Sequence, residues 1–198
     1  MQRHGIDAPR MNGLLRGFAS IKVCVIGDLI IDEYINCQPL GMSQEDPTIV
    51  VTPLASAHFI GGAGIVAAHA VGMGAQVQFI SVVGNDVSGD LAKRRLAAEG
   101  VTAHLLVDEN RPTTLKQRFR SKGKTLLRVS HLHQAAVSIQ LQARLLEQVE
   151  DAIANADLLV FSDFNYGCLP QPLVDKITVM AKSKGIVLAA DSQSSSQL

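Results

Sequence analysis

Four apolar runs recur along the chain, most of them separated by enough residues for a helix: IKVCVIG (Ile21–Gly27), VQFISVVG (Val77–Gly84), DLLVFS (Asp157–Ser162) and GIVLAA (Gly185–Ala190). Continuous apolar strands suit a parallel sheet covered on both faces, because a sheet with one wet face would alternate apolar and polar residues. Helical patterns fill the gaps. Ser88–Gly100 ends on a glycine cap, Ser138–Ala154 carries Leu141, Leu145 and Val149 on one face, and Gln171–Lys184 separates the last two runs. His104–Val107 reads as a further short strand. The expectation is a three-layer, Rossmann-like α/β fold with a mostly parallel sheet.

Two stretches interrupt this alternation. Tyr34–Ala55 contains PTIVVTPL, and Thr113–Val129 contains two β-like arms around a Ser-Lys-Gly-Lys turn, the pattern of a hairpin. They predict a small β lid projecting from the main sheet, with segments near 34–55 and 113–130. Residues 1–20 read as a loose tail or short helix, and residues 21–198 as the domain.

Composition narrows the partners. Lys plus Arg equals Asp plus Glu at 18 each, aromatics are 4% and Trp is absent, so neither a basic field nor a base-stacking surface marks a nucleic-acid binder. No run approaches the roughly 20 apolar residues of a membrane helix, and the polar N-terminus has no apolar signal core. Cys24, Cys37 and Cys168 form no C-x-x-C pair, and Cys24 falls in an apolar strand as an inert buried thiol. A cytoplasmic, reduced setting is expected. The histidines show no metal-ligand spacing, although His131-x-His133 on one strand would share a face.

Carboxylates collect where strands end. Asp28, Asp86, Asp163 and Asp191 each close an apolar run, and Asp32 follows four residues after Asp28. Open parallel sheets bind ligands at that edge. A helix N-cap is the plain alternative for Asp86 and for Asp163. Together the carboxylates suit the hydroxyls of a polyol or a metal–nucleotide complex.

Gly62, Gly64 and Ala67 satisfy the G-x-G-x-x-A spacing of a dinucleotide turn. The acid required at the end of the next strand is Ser81, which disfavours an NAD-type site, and no Lys-Ser/Thr follows to make a phosphate loop. Two readings remain: bare backbone offered to a ligand at a helix N-terminus, or glycines needed for tight helix packing.

GDLIIDEY, GMSQEDPTIVV, GGAGIVAAHAVGMGA and VVGNDVSGD, in this order and spacing, resemble the ribokinase-like (PfkB) carbohydrate kinases. TLKQRFRSKGKTLLRVS and LLVFSDFNYG bring the resemblance closest to bacterial heptose-7-phosphate kinases. The resemblance implies a sugar or sugar-phosphate kinase using ATP and Mg2+. It places Asp32 on substrate hydroxyls, Gly61 and Gly62 under the sugar, Lys116 and Arg118 on a sugar phosphate, and Asp163 beside the substrate or the phosphoryl path. Three positions depart from the family pattern. Ile65 stands for the Asn of G-G-x-x-N, Tyr166 for the Lys of S-D-Y-x-K-G, and Ser130 for the acid after L-L-R-V. The family's G-A-G-D base segment and N-x-x-E motif do not occur. The expectation is therefore an N-terminal portion that stops before the ATP-site half and holds no catalytic or metal residue of its own. A non-catalytic sugar-phosphate sensor is the alternative. Exposed lid edges imply a homodimer through the lid.

Overall fold

The computed structural model describes Gly5 and residues 7–193. The outer ends of the expected tail and domain fall outside them. Five strands form one sheet: β1 (Lys22–Gly27), β4 (Gln76–Val83), β5 (Thr102–Val107), β8 (Leu158–Asp163) and β9 (Val187–Ser192). Their order is β5-β4-β1-β8-β9, and every pairing is parallel. β1 lies at the centre because the chain first builds outward on one side, to β4 and β5, and then returns to build β8 and β9 on the other. That reversal opens a crevice beside the carboxyl end of β1.

Helices cover both faces. α2 (Ala63–Gly72) and α3 (Val87–Ala98) bury Ala67, Ala92 and Leu96 against Val25, Val77 and Phe79. α4 (Ile139–Ala152) and α5 (Gln171–Ser183) bury Leu145, Val149, Leu173 and Ile177 against Cys24, Ile26 and Leu159. The Leu141–Leu145–Val149 face is the buried face of α4, as its spacing requires. Asp86 caps α3 by accepting the Gly89 N–H at 2.8 Å. The first helix, α1 (Ala8–Gly17), buries nothing. The run GIVLAA departs from expectation: β9 is a sheet edge, mostly exposed, with Val187 at 64%.

A second sheet, ordered β3-β2-β6-β7, forms the projecting lid. Its strands are β2 (Leu29–Met42), β3 (Ile49–Gly62), β6 (Leu115–Ser121) and β7 (Lys124–His131). The β6–β7 hairpin turns through Lys122 (φ 45°) and Gly123 (φ 81°), the two left-handed residues of a tight type I′ turn. The lid is longer than residues 34–55 suggest. β2 starts immediately after Asp28, and antiparallel pairing of Leu29 with Gly62 and Ile30 with Gly61 draws the weakly apolar SAHFI segment into β3. The glycine cluster thus straddles a strand end and a helix start. Gly62 has φ +57°, and a Cβ there would strike the Asp28 carbonyl, while a Cβ at Gly64 would press into Leu29 and Ile60. Close packing therefore explains Gly62 and Gly64, and Ser81 serves the same joint: its hydroxyl donates to Gly27 O at 2.6 Å and accepts from Leu29 N at 3.1 Å.

Candidate functional site

Asp28 occupies the crevice at the end of β1 and is only 4% exposed. It does not face solvent. Its carboxylate accepts the N–H groups of Phe164 (2.8 Å), Tyr166 (3.2 Å) and Cys168 (3.1 Å), fixing the loop between β8 and α5. Burial pushes this carboxyl above the ordinary aspartate range, against the pull of the three N–H donors and with a contribution from the nearby Asp163 charge. The loop is held from its other side as well. Arg111 donates to Tyr166 O (3.2 Å) and Ala135 O (3.1 Å) while its Nε pairs with Asp108 at 2.8 Å. Asp163 accepts from Asn165 N at 2.9 Å and Ser192 Oγ at 2.8 Å, which sets the loop's first turn. Of the edge carboxylates, then, Asp28, Asp86 and Asp163 are all engaged in ordering local backbone.

Asp32 is placed differently. Strand alternation puts Asp32 and Tyr34 on one face of the lid, with Gly61 beside them on β3. A Cβ at Gly61 would collide with the Asp32 carboxylate, so the glycine is what allows the acid to lie over bare backbone. Arg118 on β6 forms an ion pair with Asp32 and lies 5.1 Å from the Tyr34 ring centre. Hydrogen bonding to Asp32 raises the Arg118 pKa further, keeping it charged. Phe59 meets Tyr34 edge-on, with ring centres 5.6 Å apart. Asp32, Tyr34, Phe59, Gly61, Ile65 and Arg120 line a cleft of about 700 Å³.

The structure brings Asp32, Gly61 and Gly62 together in that cleft, with Arg118 bonded to its acid. Lys116 stands two residues along β6, toward the Asp28 loop, with its ammonium 4.9 Å from the Tyr166 ring centre and 5.7 Å from that of Phe164. Its cross-strand neighbour is Ser130. Two of the three departures from the family pattern therefore meet at one lysine: an acid is replaced by Ser130 and a base by Tyr166, and the cation rests on aromatic faces instead. Asp163 is not among the residues lining the cleft. Arg120, Tyr34 and Phe59 escaped the sequence reading. The signal was present in KQRFRS, where every second residue is a cation and a strand must put all three on one face.

The opposite face of the lid carries a polar ladder. His58 Nε2 lies 3.4 Å from Glu33, Gln117 donates to Glu33 at 2.8 Å, and His131 bonds Gln117 at 3.0 Å. β7 ends at His131, so His133 lies off the strand and does not share a strand face with it. Among the described residues no group of three or more His, Cys, Asp or Glu could hold a metal ion. These residues therefore offer no Mg2+ cradle. All three cysteines are free and buried, and burial pushes the Cys24 thiol up to about 12.

The sequence pattern of the pfkB family carbohydrate kinases matches residues 20–198. The bifunctional protein HldE of Desulfatibacillum aliphaticivorans is 33% identical over 175 residues, covering 88% of this chain and 36% of that protein. The HldE of Rhodopseudomonas palustris (strain BisB5) is 31% identical, covering 93% of this chain and 38% of its own length. Among solved structures, phosphofructokinase-2 from Escherichia coli in complex with fructose-6-phosphate superposes with a TM-score of 0.65 at 18% identity, over 87% of this chain and 55% of that one. Arabidopsis thaliana ribokinase complexed with ribose and ATP gives a TM-score of 0.61 at 18% identity, over 86% and 53%. The chain thus spans well under half of those curated relatives and about half of the solved ones. A parallel sheet with a four-stranded lid, an acid set over a glycine at the lid's root, and a family match across nine-tenths of the sequence agree: this chain belongs to the pfkB family of carbohydrate kinases.

Proposed function

We propose that residues 21–198 form the sugar-binding half of an ATP-dependent carbohydrate kinase whose substrate is a sugar phosphate of the heptose 7-phosphate type. The observation that carries this reading is Asp32, an acceptor paired with Arg118 and packed on the side-chain-free backbone of Gly61 in an aromatic-walled cleft. A carboxylate with a small backbone beneath it accepts two hydroxyl donors from a polyol, and Tyr34 and Phe59 supply apolar surface for the C–H face of a ring. Arg118 orients the acid. Lys116 offers a cation beside the Asp28 loop, where a phosphoryl group would approach. Likeness to the HldE proteins supports the heptose class. In this reading Mg-ATP is the phosphoryl donor, and the base and nucleotide site belong to sequence outside these residues. Three buried free cysteines and the absence of any described helix long and apolar enough to cross a membrane support a cytoplasmic setting.

Calorimetric titration of the chain with heptose 7-phosphate tests the site, because binding does not need the transfer machinery. Asp32→Ala is expected to weaken affinity at least about tenfold, the loss of one or two hydrogen bonds to a charged group. Unchanged affinity would remove Asp32 from the sugar site. The sensor reading stays in view on one observation: Ile65, 36% exposed, lines the cleft at the position where the family pattern has an amide. A sensor binds the sugar with the same Asp32 dependence, yet produces no ADP when assayed as the whole protein with sugar and ATP. We also propose a homodimer through the distal lid, where Leu40, Met42, Ile49 and Leu54 are exposed on strands with an open edge. Sedimentation should show dimer for the parent and monomer for Leu54→Lys, and a monomeric parent would overturn it.

A further inference from the structure

The three cations of β6 share a face but have different occupations. Arg118 is committed to Asp32, and Lys116 lies against Phe164 and Tyr166. Arg120 is the one that lines the cleft, at the end nearer the hairpin tip. Its guanidinium lies 5.5 Å from the Tyr34 ring centre, and Nη2 donates to Gly123 O at 2.8 Å. Its Nε is buried and has no hydrogen-bond partner. A buried guanidinium N–H without an acceptor is costly, so such groups usually meet a counterpart. Among the described residues no carboxylate pairs with Arg120, whereas Arg111 and Arg118 each have one.

We infer that Arg120 is the reader of a fixed anionic substituent, phosphate or carboxylate, on the substrate that Asp32 holds by its hydroxyls. This rests on the sugar-site reading above and deepens it. β6 sets Lys116 and Arg120 four residues apart, roughly 13 Å along the strand, and β2 pairs Asp32 with Lys116 and Tyr34 with Arg118 between them. Asp32 is therefore level with Lys116, and Arg120 lies four residues farther along the lid, toward the hairpin tip. Lys116 is on the side of the Asp28 loop, and Arg120 is on the far side, where a substituent that takes no part in transfer would extend. The planar fork of Arg120, braced on Tyr34, suits the two-oxygen edge of a phosphate better than a lysine would. Arg118, which the family resemblance places on the phosphate, is in this inference the residue that orients Asp32.

The test is a ratio. Affinities for heptose 7-phosphate and for its dephosphorylated parent sugar are measured on the chain and on Arg120→Gln and Arg120→Lys. The parent chain should prefer the phosphorylated sugar. Arg120→Gln should cut that preference at least about tenfold while moving neutral-sugar affinity little, as expected for loss of one charge-assisted contact, and Arg120→Lys should restore part of it. A merely folded-state role would weaken both ligands together. An unchanged ratio in Arg120→Gln, or no preference in the parent, overturns the inference and leaves the Asp32 site standing. If neither sugar binds, the sugar reading fails, and inorganic phosphate alone, followed by 31P line broadening, decides the anion site: broadening lost in Arg120→Gln upholds it, and no broadening overturns it.

Discussion

Replacing Asp28 by Ala removes the side chain that holds three amides of the β8–α5 loop from beneath. The carboxylate satisfies three backbone N–H groups, at residues 164, 166 and 168. Each buried N–H left unpaired costs about 1–3 kcal/mol, so the three together set a lower figure of roughly 3 kcal/mol once water enters the vacated space. For a chain of this size each 1 kcal/mol moves the melting midpoint about 2–4 °C, which puts Asp28→Ala about 6–12 °C below the parent. Asp28→Asn keeps one acceptor oxygen and should fall between the two. Differential scanning calorimetry reads the midpoint, and hydrogen exchange at Phe164, Tyr166 and Cys168 reads the loop. Because burial raises the Asp28 pKa in the fold, its contribution is fully present below the ordinary aspartate range and declines as pH rises through the raised value. The gap between parent and Asp28→Ala should therefore narrow from about pH 4 toward neutrality. A midpoint within about 2 °C of the parent, below what even 1 kcal/mol would produce, with exchange at the three amides unaltered, would refute the assignment of this carboxylate as the loop's anchor.

Gly61→Ala puts a methyl into the Asp32 carboxylate while leaving an ordinary backbone conformation; sugar affinity should fall about tenfold or more with little change in melting, and retained affinity would mean the acid is not used where it lies. Asp86→Ala removes the α3 cap, at a cost of about 1 kcal/mol in urea unfolding. Burial alone would raise the Asp86 pKa, but the N–H groups of Thr113 and Gly89 bring it below the ordinary value. Its stabilisation is therefore present above about pH 4 and lost as pH falls through the lowered pKa, so the parent–variant gap should close in acid. Ile65→Asn places an amide in the cleft wall; a gain in affinity for heptose 7-phosphate by calorimetry marks a weakened ancestral site, and no gain marks a different substrate.

Much of the body was legible because its signals are local. The apolar runs, the α4 face, the Asp86 cap and the Ser-Lys-Gly-Lys turn each depend on residues a few places apart. The lid was legible only as an interruption. SAHFI has little strand character of its own and becomes β3 through register with Leu29–Tyr34, a pairing no short window reveals. The carboxylates were visible as a set but not as individuals. Asp28 and Asp32 are four residues apart, yet one turns into three amides and the other into a cleft, because a strand change between them reverses their surroundings. Arg118 was read from the sequence and Arg120 was not, yet which of the two is spent depends on a carboxylate 86 positions from Arg118.

The lid's roots differ in how much slack they carry. β1 passes into β2 through Asp28 alone, and β3 passes into α2 with no residue between, whereas β6 and β7 are tethered by segments 108–114 and 132–138. Asp28 N bonds Ser162 O at 3.1 Å, and Ala63 N bonds Asp28 O at 2.9 Å, so the short roots are also pinned. The longer tethers are held too, by Thr113 N on Asp86 at 2.8 Å and by Val137 N on Gly167 O at 3.0 Å. Asp32 and Lys116 are level across β2 and β6, and Arg120 stands four residues farther from the short root, so a turn of the lid about the Asp28–Ala63 joint would carry Arg120 through the widest arc of the three. On the proposed reading, the hydroxyl acceptor Asp32 and the anion reader Arg120 stand at different distances from that joint, so one swing of the lid would change the spacing of the two contacts to the body by different amounts.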